Sequence, residues 1–129
     1  MNSLKTCVLL TMLVIFASPA FAMDSNQATK IIKNAYEDIL GREPDPSGLH
    51  EFRKKIVDDG WTEAELRKTL KESDEYKLNV INNAYEDLLD REVDESGRKY
   101  LLDKMTNDKW TESDVRKWIK ESDEYKKKQ

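Results

Sequence analysis

The chain has 129 residues, of which 37% are charged and 38% hydrophobic, with only 4 Gly and 3 Pro. That balance excludes a collagen, a disordered tail and a sandwich punctuated by Gly and Pro, and it suits a small helical globule. Formal charge is −4, so the electrostatic drive that carries non-specific nucleic-acid binding is missing and neither DNA nor RNA is an expected partner.

Met1 to Lys5 carries one positive charge, Cys7 to Ala17 is an almost unbroken apolar run, and Ala20-Phe21-Ala22 supplies small residues at −3 and −1 of a cleavage point. Residues 1–22 therefore read as a cleaved signal peptide, and about 107 residues remain, enough for one small domain or two short repeats sharing a core. The apolar run falls short of the roughly 20 residues of a membrane-spanning helix. The expectation is an exported bacterial protein, periplasmic or secreted, with no stable membrane anchor after cleavage. Cys7 is the only cysteine and leaves with the leader, so the mature chain has no disulfide, thiol nucleophile or cysteine metal ligand.

The remainder is one unit written twice. Residues 31–77 align without a gap on 80–126 at an offset of 49, and more than half of the pairs are identical. The expected division is a first helical repeat over 23–77 and a second over 78–129, which ends in the truncated start of a third. Each repeat reads as three helices. Ile32, Ala35, Tyr36, Ile39 and Leu40 share one helical stripe, repeated by Ile81, Ala84, Tyr85, Leu88 and Leu89. Asp45-Pro46 supplies an N-cap oxygen and a proline at the first helical position of a second helix carrying Leu49, Phe52 and Ile56 inward, and Gly60 stops it. Trp61-Thr62-Glu63-Ala64-Glu65-Leu66 is a capping box with a Trp61–Leu66 staple that opens the third helix, with Trp110, Thr111, Asp114 and Val115 as its second copy. Ser73 and Ser122 are expected N-caps of the helices that follow. The fold class is all-α: two tandem three-helix repeats packed as one compact unit around a shared apolar interior.

The acidic run Glu92-Val93-Asp94-Glu95-Ser96-Gly97, with Asp103 beyond it, begins like a calcium loop. The match breaks down at Lys99, and at Pro44, Pro46 and Lys54 in the first copy. The reading preferred is structural: Asp45 and Asp94 cap the second helices, Arg42 and Arg91 fix the turns by bonding loop carbonyls or those acids, and Gly48 and Gly97 belong to the same turns. His50 is the single histidine and has Lys99 as its counterpart, which argues against a His-dependent site. Glu37-Asp38 and Glu86-Asp87 are sequence neighbours that diverge by about 100° on a helix, a poor acid–base pair and a good solvated face. Neither cofactor nor metal is expected. Tyr36, Tyr85, Trp61 and Trp110 occur in both copies and read as core. Tyr100 and Trp118 differ, because the first copy has Glu51 and Thr69 there. They are the candidate partner-binding or sugar-stacking residues, with core or inter-repeat packing as the alternative, Trp118 widening the stripe of Val115 and Ile119 that packs on the first repeat.

The run Ala35-Tyr36-Glu37-Asp38-Ile39-Leu40-Gly41-Arg42-Glu43-Pro44-Asp45-Pro46-Ser47-Gly48-Leu49, with Gly60-Trp61 and Glu72-Ser73-Asp74-Glu75-Tyr76 after it, resembles the bacterial module known as domain of unknown function 4214. Both copies fit, over nearly all of the mature chain. That module is found in secreted and cell-surface proteins and has a distant likeness to the helical phycobilisome linker domain. The resemblance implies an all-helical fold and extracellular use, and no catalytic residue or ligand. The second copy departs from it with Asp90 for the glycine and Val93 and Glu95 for the prolines, substitutions expected to loosen its loop. The functional expectation is a non-enzymatic interaction module of the cell envelope or exterior that binds another protein. Carbohydrate binding through exposed aromatics is the alternative, with calcium binding and a carboxylate-dependent hydrolase as weaker readings. Oligomeric state is left open.

Overall fold

Local signals divide the chain into helices almost residue by residue. In the computed structural model, which describes residues 23–129, seven helices and no strand are present among the described residues. The expected signal peptide, 1–22, lies outside the described residues. The first repeat holds α1 (Ser25–Leu40), α2 (Pro46–Val57) and α3 (Glu63–Glu72). The second holds α4 (Asp74–Leu89), α5 (Glu95–Asn107) and α6 (Glu112–Glu121), and α7 (Asp123–Lys128) is the begun third copy. The expected boundary between 77 and 78 falls inside α4, and the units divide instead at the Ser73 cap.

The expected caps are in place. Asp45 accepts from the Gly48 amide with Pro46 at the first helical position, and Asp94 accepts from the Gly97 amide at 2.6 Å. Thr62 with Glu65 and Thr111 with Asp114 each complete a capping box. Ser73 serves two helices: its hydroxyl donates to the Leu70 carbonyl at 2.6 Å and accepts from the Tyr76 amide at 3.2 Å, so α3 and α4 meet at a single residue. Ser122 joins α6 to α7 in the same way. α1 ends where Gly41 turns left-handed at φ 67° and donates its amide to the Glu37 carbonyl at 3.0 Å, a conformation that costs glycine nothing.

Of the stripes read from the sequence, Ile32, Ala35, Tyr36 and Leu40 on α1 and Ile81, Ala84, Tyr85 and Leu89 on α4 are buried, joined by Ala28 and Val80, while Ile39 and Leu88 at the stripe edges are only partly buried. The single shared interior expected from the sequence is instead two clusters. Phe52, Ile56, Leu66 and Leu70 close over α1, while Leu101, Met105, Val115 and Ile119 close over α4. Tyr76, in the first turn of α4, packs against both. The physical reason is that the stripe of α4 faces its own α5 and α6, which leaves the start of α4 to form the seam with the first repeat. α7 repeats that seat on the second repeat, packing on α4 and α6 with Tyr125 against the second cluster.

The second loop is not loosened by its departures. Val93 takes the place of Pro44 and is buried in the second cluster, while the Arg91, Asp94 and Gly97 bonds repeat those of the first loop. Apolar burial thus supplies the order that proline supplied in the first copy.

Candidate functional site

Two groups of sequence-predicted residues come together, with different chemistry. The first is the arginine turn. Arg42 donates from Nη1 to the Glu43 carbonyl at 2.9 Å and approaches Asp45 at 3.9 Å, as the sequence reading requires. Its main partner is one the sequence reading missed: Glu75 on α4, which accepts from Nε at 2.6 Å and from Nη2 at 2.8 Å. The guanidinium also lies over the Tyr36 ring, 5.3 Å from the centroid. Arg91 reproduces the whole arrangement with Glu92, Asp94, Tyr85 and Glu124. The signal for the missed partner was present, since Glu75 and Glu124 are retained in both copies of Ser-Asp-Glu-Tyr.

The electrostatics follow from those bonds. The Arg42 guanidinium holds the Glu75 carboxyl below the usual range, chiefly by hydrogen bonding, and Arg91 does the same to Glu124. Asp45 is lowered by the Ser47 hydroxyl and the Gly48 amide. Burial raises Tyr36 and Tyr85. Gly48 and Gly97 are required by the same packing, because a Cβ there would meet the Tyr36 or Tyr85 hydroxyl at 2.7 or 2.8 Å. Every element of this turn is engaged inside the fold.

The acids read as a solvated face are partly tied down as well. Asp38 accepts from Arg67 on α3 at 2.9 Å, and Asp87 accepts from Arg116 on α6 at 2.8 Å. Asp94 is spent on its cap and Asp103 accepts from Asn107 at 2.6 Å. Among the described residues no group of three or more His, Cys, Asp or Glu is placed to hold a metal ion, and no helix is long and apolar enough to cross a membrane.

The second group is aromatic. Tyr100 on α5 and Trp118 on α6 stack with ring centroids 5.3 Å apart and planes inclined by 34°. Trp110 meets Tyr100 edge-on at 6.5 Å and 88°, and Lys104 Nζ lies 5.5 and 5.8 Å from the Tyr100 and Trp110 centroids. Trp118 packs against the second cluster rather than on the first repeat, because its neighbours Val115 and Ile119 face α4 and not α1. Tyr100 is 43% exposed, the one exposed large hydrophobic side chain among the described residues. In the first repeat the same face is polar. Glu51 pairs with Lys55, Thr69 bonds the Glu65 carbonyl, and Trp61 lies under Lys55 and beside Phe52.

The family described as Domain of unknown function (DUF4214) matches residues 12–80 and again residues 79–129. The chain belongs to this family. No curated protein and no solved structure matches it. In this DUF4214 tandem the family-like residues Tyr36, Arg42, Asp45, Gly48, Trp61, Ser73 and Glu75 build and join the units, and of the three aromatics on the second unit's face Trp110 is the counterpart of Trp61 while Tyr100 and Trp118 lie outside that framework.

Proposed function

We propose that this tandem DUF4214 protein is an exported, non-catalytic interaction module, and that the second repeat binds another protein through the face centred on Tyr100, Trp110 and Trp118. The observation that carries the reading is the exposed Tyr100 stacked on Trp118 where the first repeat has Glu51 and Thr69, with Trp110, shared with the first repeat as Trp61, edge-on to it. A tyrosine fixed by packing gives up little conformational entropy on binding, and Tyr and Trp dominate the energetic centres of protein interfaces. Export rests on the leader pattern of residues 1–22, and the cell envelope or exterior is the proposed location.

Pull-down from envelope extract with wild type and the Tyr100→Ala, Trp118→Ala variant tests this reading. One or more proteins should be recovered by wild type and lost with the variant. Equal recovery of every protein removes the aromatic face from the proposal.

One arrangement favours carbohydrate as a second reading. Asp103 and Asn107, bonded to each other, line the same open groove as Tyr100, and a ring face beside a carboxylate and an amide suits a sugar. A glycan array on which wild type gives no signal above the Tyr100→Ala variant disposes of it.

A further inference from the structure

The two repeats carry the same groove with unrelated linings. In the first, Ser25 at the start of α1 and His50, Arg53, Lys54, Val57 and Asp58 along α2 enclose a hollow of about 250 Å³. Forty-nine residues on, Asp74, Lys99, Leu102, Asp103, Thr106 and Asn107 line one of about 610 Å³ between α4 and α5. None of these six positions keeps its residue, although more than half of the aligned pairs in the two copies are identical. Along 49–58 only Lys55 matches its counterpart, Lys104. The inward face of the same helix stays apolar and buried, Phe52 and Ile56 against Leu101 and Met105. The scaffold holds the groove in place while its lining has been replaced, as in a duplicated binding surface whose copies take different ligands.

The lining of the first groove is cationic on an acidic protein. Arg42, Arg67, Arg91 and Arg116 are each bonded to a carboxylate. Arg53 and Lys54 have no ion pair or side-chain hydrogen bond among the described residues, and Arg53 Nε is enclosed with no partner. Arg98 Nε is in the same position, but Glu86, Asp90 and Glu92 line its groove and offset its charge. Among the residues that line this hollow the only acid is Asp58. α1 has no acidic residue in its first turn, and Asp24 at its N-cap makes no side-chain cap bond, so the amides of that turn stay open and the carboxylate of Asp24 offsets only part of the positive end of the helix.

We propose that this groove binds a carboxylate-bearing peptide segment, the acidic side chains seating on Arg53 and Lys54. The proposal rests on the reading of this protein as a protein-binding module and names the chemistry that its first repeat recognises. An acidic polysaccharide fits less well, because no aromatic face for a sugar ring to stack on lines this groove and the exposed aromatic, Tyr100, stands in the other.

Titration of ¹⁵N-labelled protein with a hexaglutamate peptide tests it. Saturable shifts are expected at the amides of Ser25, Arg53, Lys54 and Asp58, with Leu102 and Thr106 unmoved. Arg53→Leu with Lys54→Asp installs residues that the second repeat already accommodates at these positions, and Arg53→Gln with Lys54→Gln removes charge at similar size. Both pairs should weaken binding about tenfold, the loss of two exposed charge pairs, while the remaining resonances keep their positions. Unchanged affinity in either pair, or no saturable shift in the wild type, overturns the proposal. A response of the same amides to trigalacturonate and none to hexaglutamate overturns it in favour of acidic sugar. The Tyr100→Ala, Trp118→Ala variant should bind hexaglutamate like wild type. If that variant also recovers every envelope protein, the aromatic reading fails and the groove assignment stands.

Discussion

Arg42 and Glu75 form a bidentate bond across the repeat boundary, Nε to Oε1 at 2.6 Å and Nη2 to Oε2 at 2.8 Å. A turn of the first unit is thereby closed by the first helical turn of the second. Both side chains are about two-fifths exposed, so water and salt screen the pair, and Glu75→Gln is expected to cost about 1 kcal/mol. Arg42→Lys should not restore more than part of an Arg42→Ala loss, because an ammonium cannot reproduce the fork. Urea midpoints of the three variants check both statements.

The same bonds predict how acid acts. Glu75 and Glu124 are held below their ordinary value of 4.5 in the folded chain, and Asp45 and Asp94 below 3.8. A carboxyl depressed by folding contributes its stability above the unfolded value and loses it as pH falls through the folded one. Stability should therefore be level from neutral pH to about 4.5 and decline below it. The Glu75→Gln, Glu124→Gln variant should start lower and decline less steeply. Urea titrations at stepped pH measure the two slopes, and parallel curves contradict the assignment.

Gly48 and Gly97 test the packing of the tyrosines beneath them. A Cβ at either position comes within 3 Å of the phenol oxygen of a tyrosine whose ring is packed in the core. Gly48→Ala and Gly97→Ala should each cost about 2 kcal/mol, the usual scale of overpacking. Removing the hydroxyl relieves the clash, so Gly48→Ala with Tyr36→Phe should be more stable than Gly48→Ala alone. Thermal melts of the four-member cycle read the coupling.

Much of this architecture was legible because its signals are local. Thr62 with Glu65, Asp45 with Pro46 and the stripe through Tyr36 each act within a turn or two of chain, and each occurs twice. What the residues did not disclose is long-range. Nothing next to Arg42 points to Glu75, 33 residues away, and a hydrophobic stripe does not say whether it meets its own repeat or the next one. That is why one interior was read where Tyr76 joins two. The aromatic face was legible for the opposite reason, since Tyr100 and Trp118 stand out only against Glu51 and Thr69 in the other copy. The first groove was not, because His50, Arg53 and Lys54 carry no motif until α1 and α2 are placed side by side.

Two left-handed positions predict a stabilising change. Gly60 at φ 73° has Lys109 at φ 58° as its counterpart, and the lysine side chain makes its own bond to the Thr106 carbonyl. An L-residue there costs roughly 1–2 kcal/mol, and glycine gives back part of that gain through its more flexible unfolded chain. Lys109→Gly should raise stability by about 0.5–1 kcal/mol, and Gly60→Ala should lower it by a similar amount. Asp90 at φ 51° is a poorer site for the same change because its carboxylate holds Lys128. Denaturation of the paired variants decides whether backbone conformation or the Lys109 bond dominates.

The last helix is expected to be a structural lid rather than a tail. A chain ending at Glu121 loses the Ser122 cap, the Glu124 bond to Arg91, the packing of Tyr125 and the Lys128 contacts with Asp90 and the Leu88 carbonyl. Half-burial of one tyrosine and two exposed ion pairs together amount to about 2–3 kcal/mol. Because the first cluster draws all its buried residues from 28–70, the loss should fall unevenly. Hydrogen exchange is expected to quicken in α4, α5 and α6 while α1, α2 and α3 keep their protection. Equal quickening in both repeats means that the seam made by Tyr76, Ser73 and the Arg42–Glu75 bond, with α4 packed on α1 and α3, couples the two clusters into one cooperative unit.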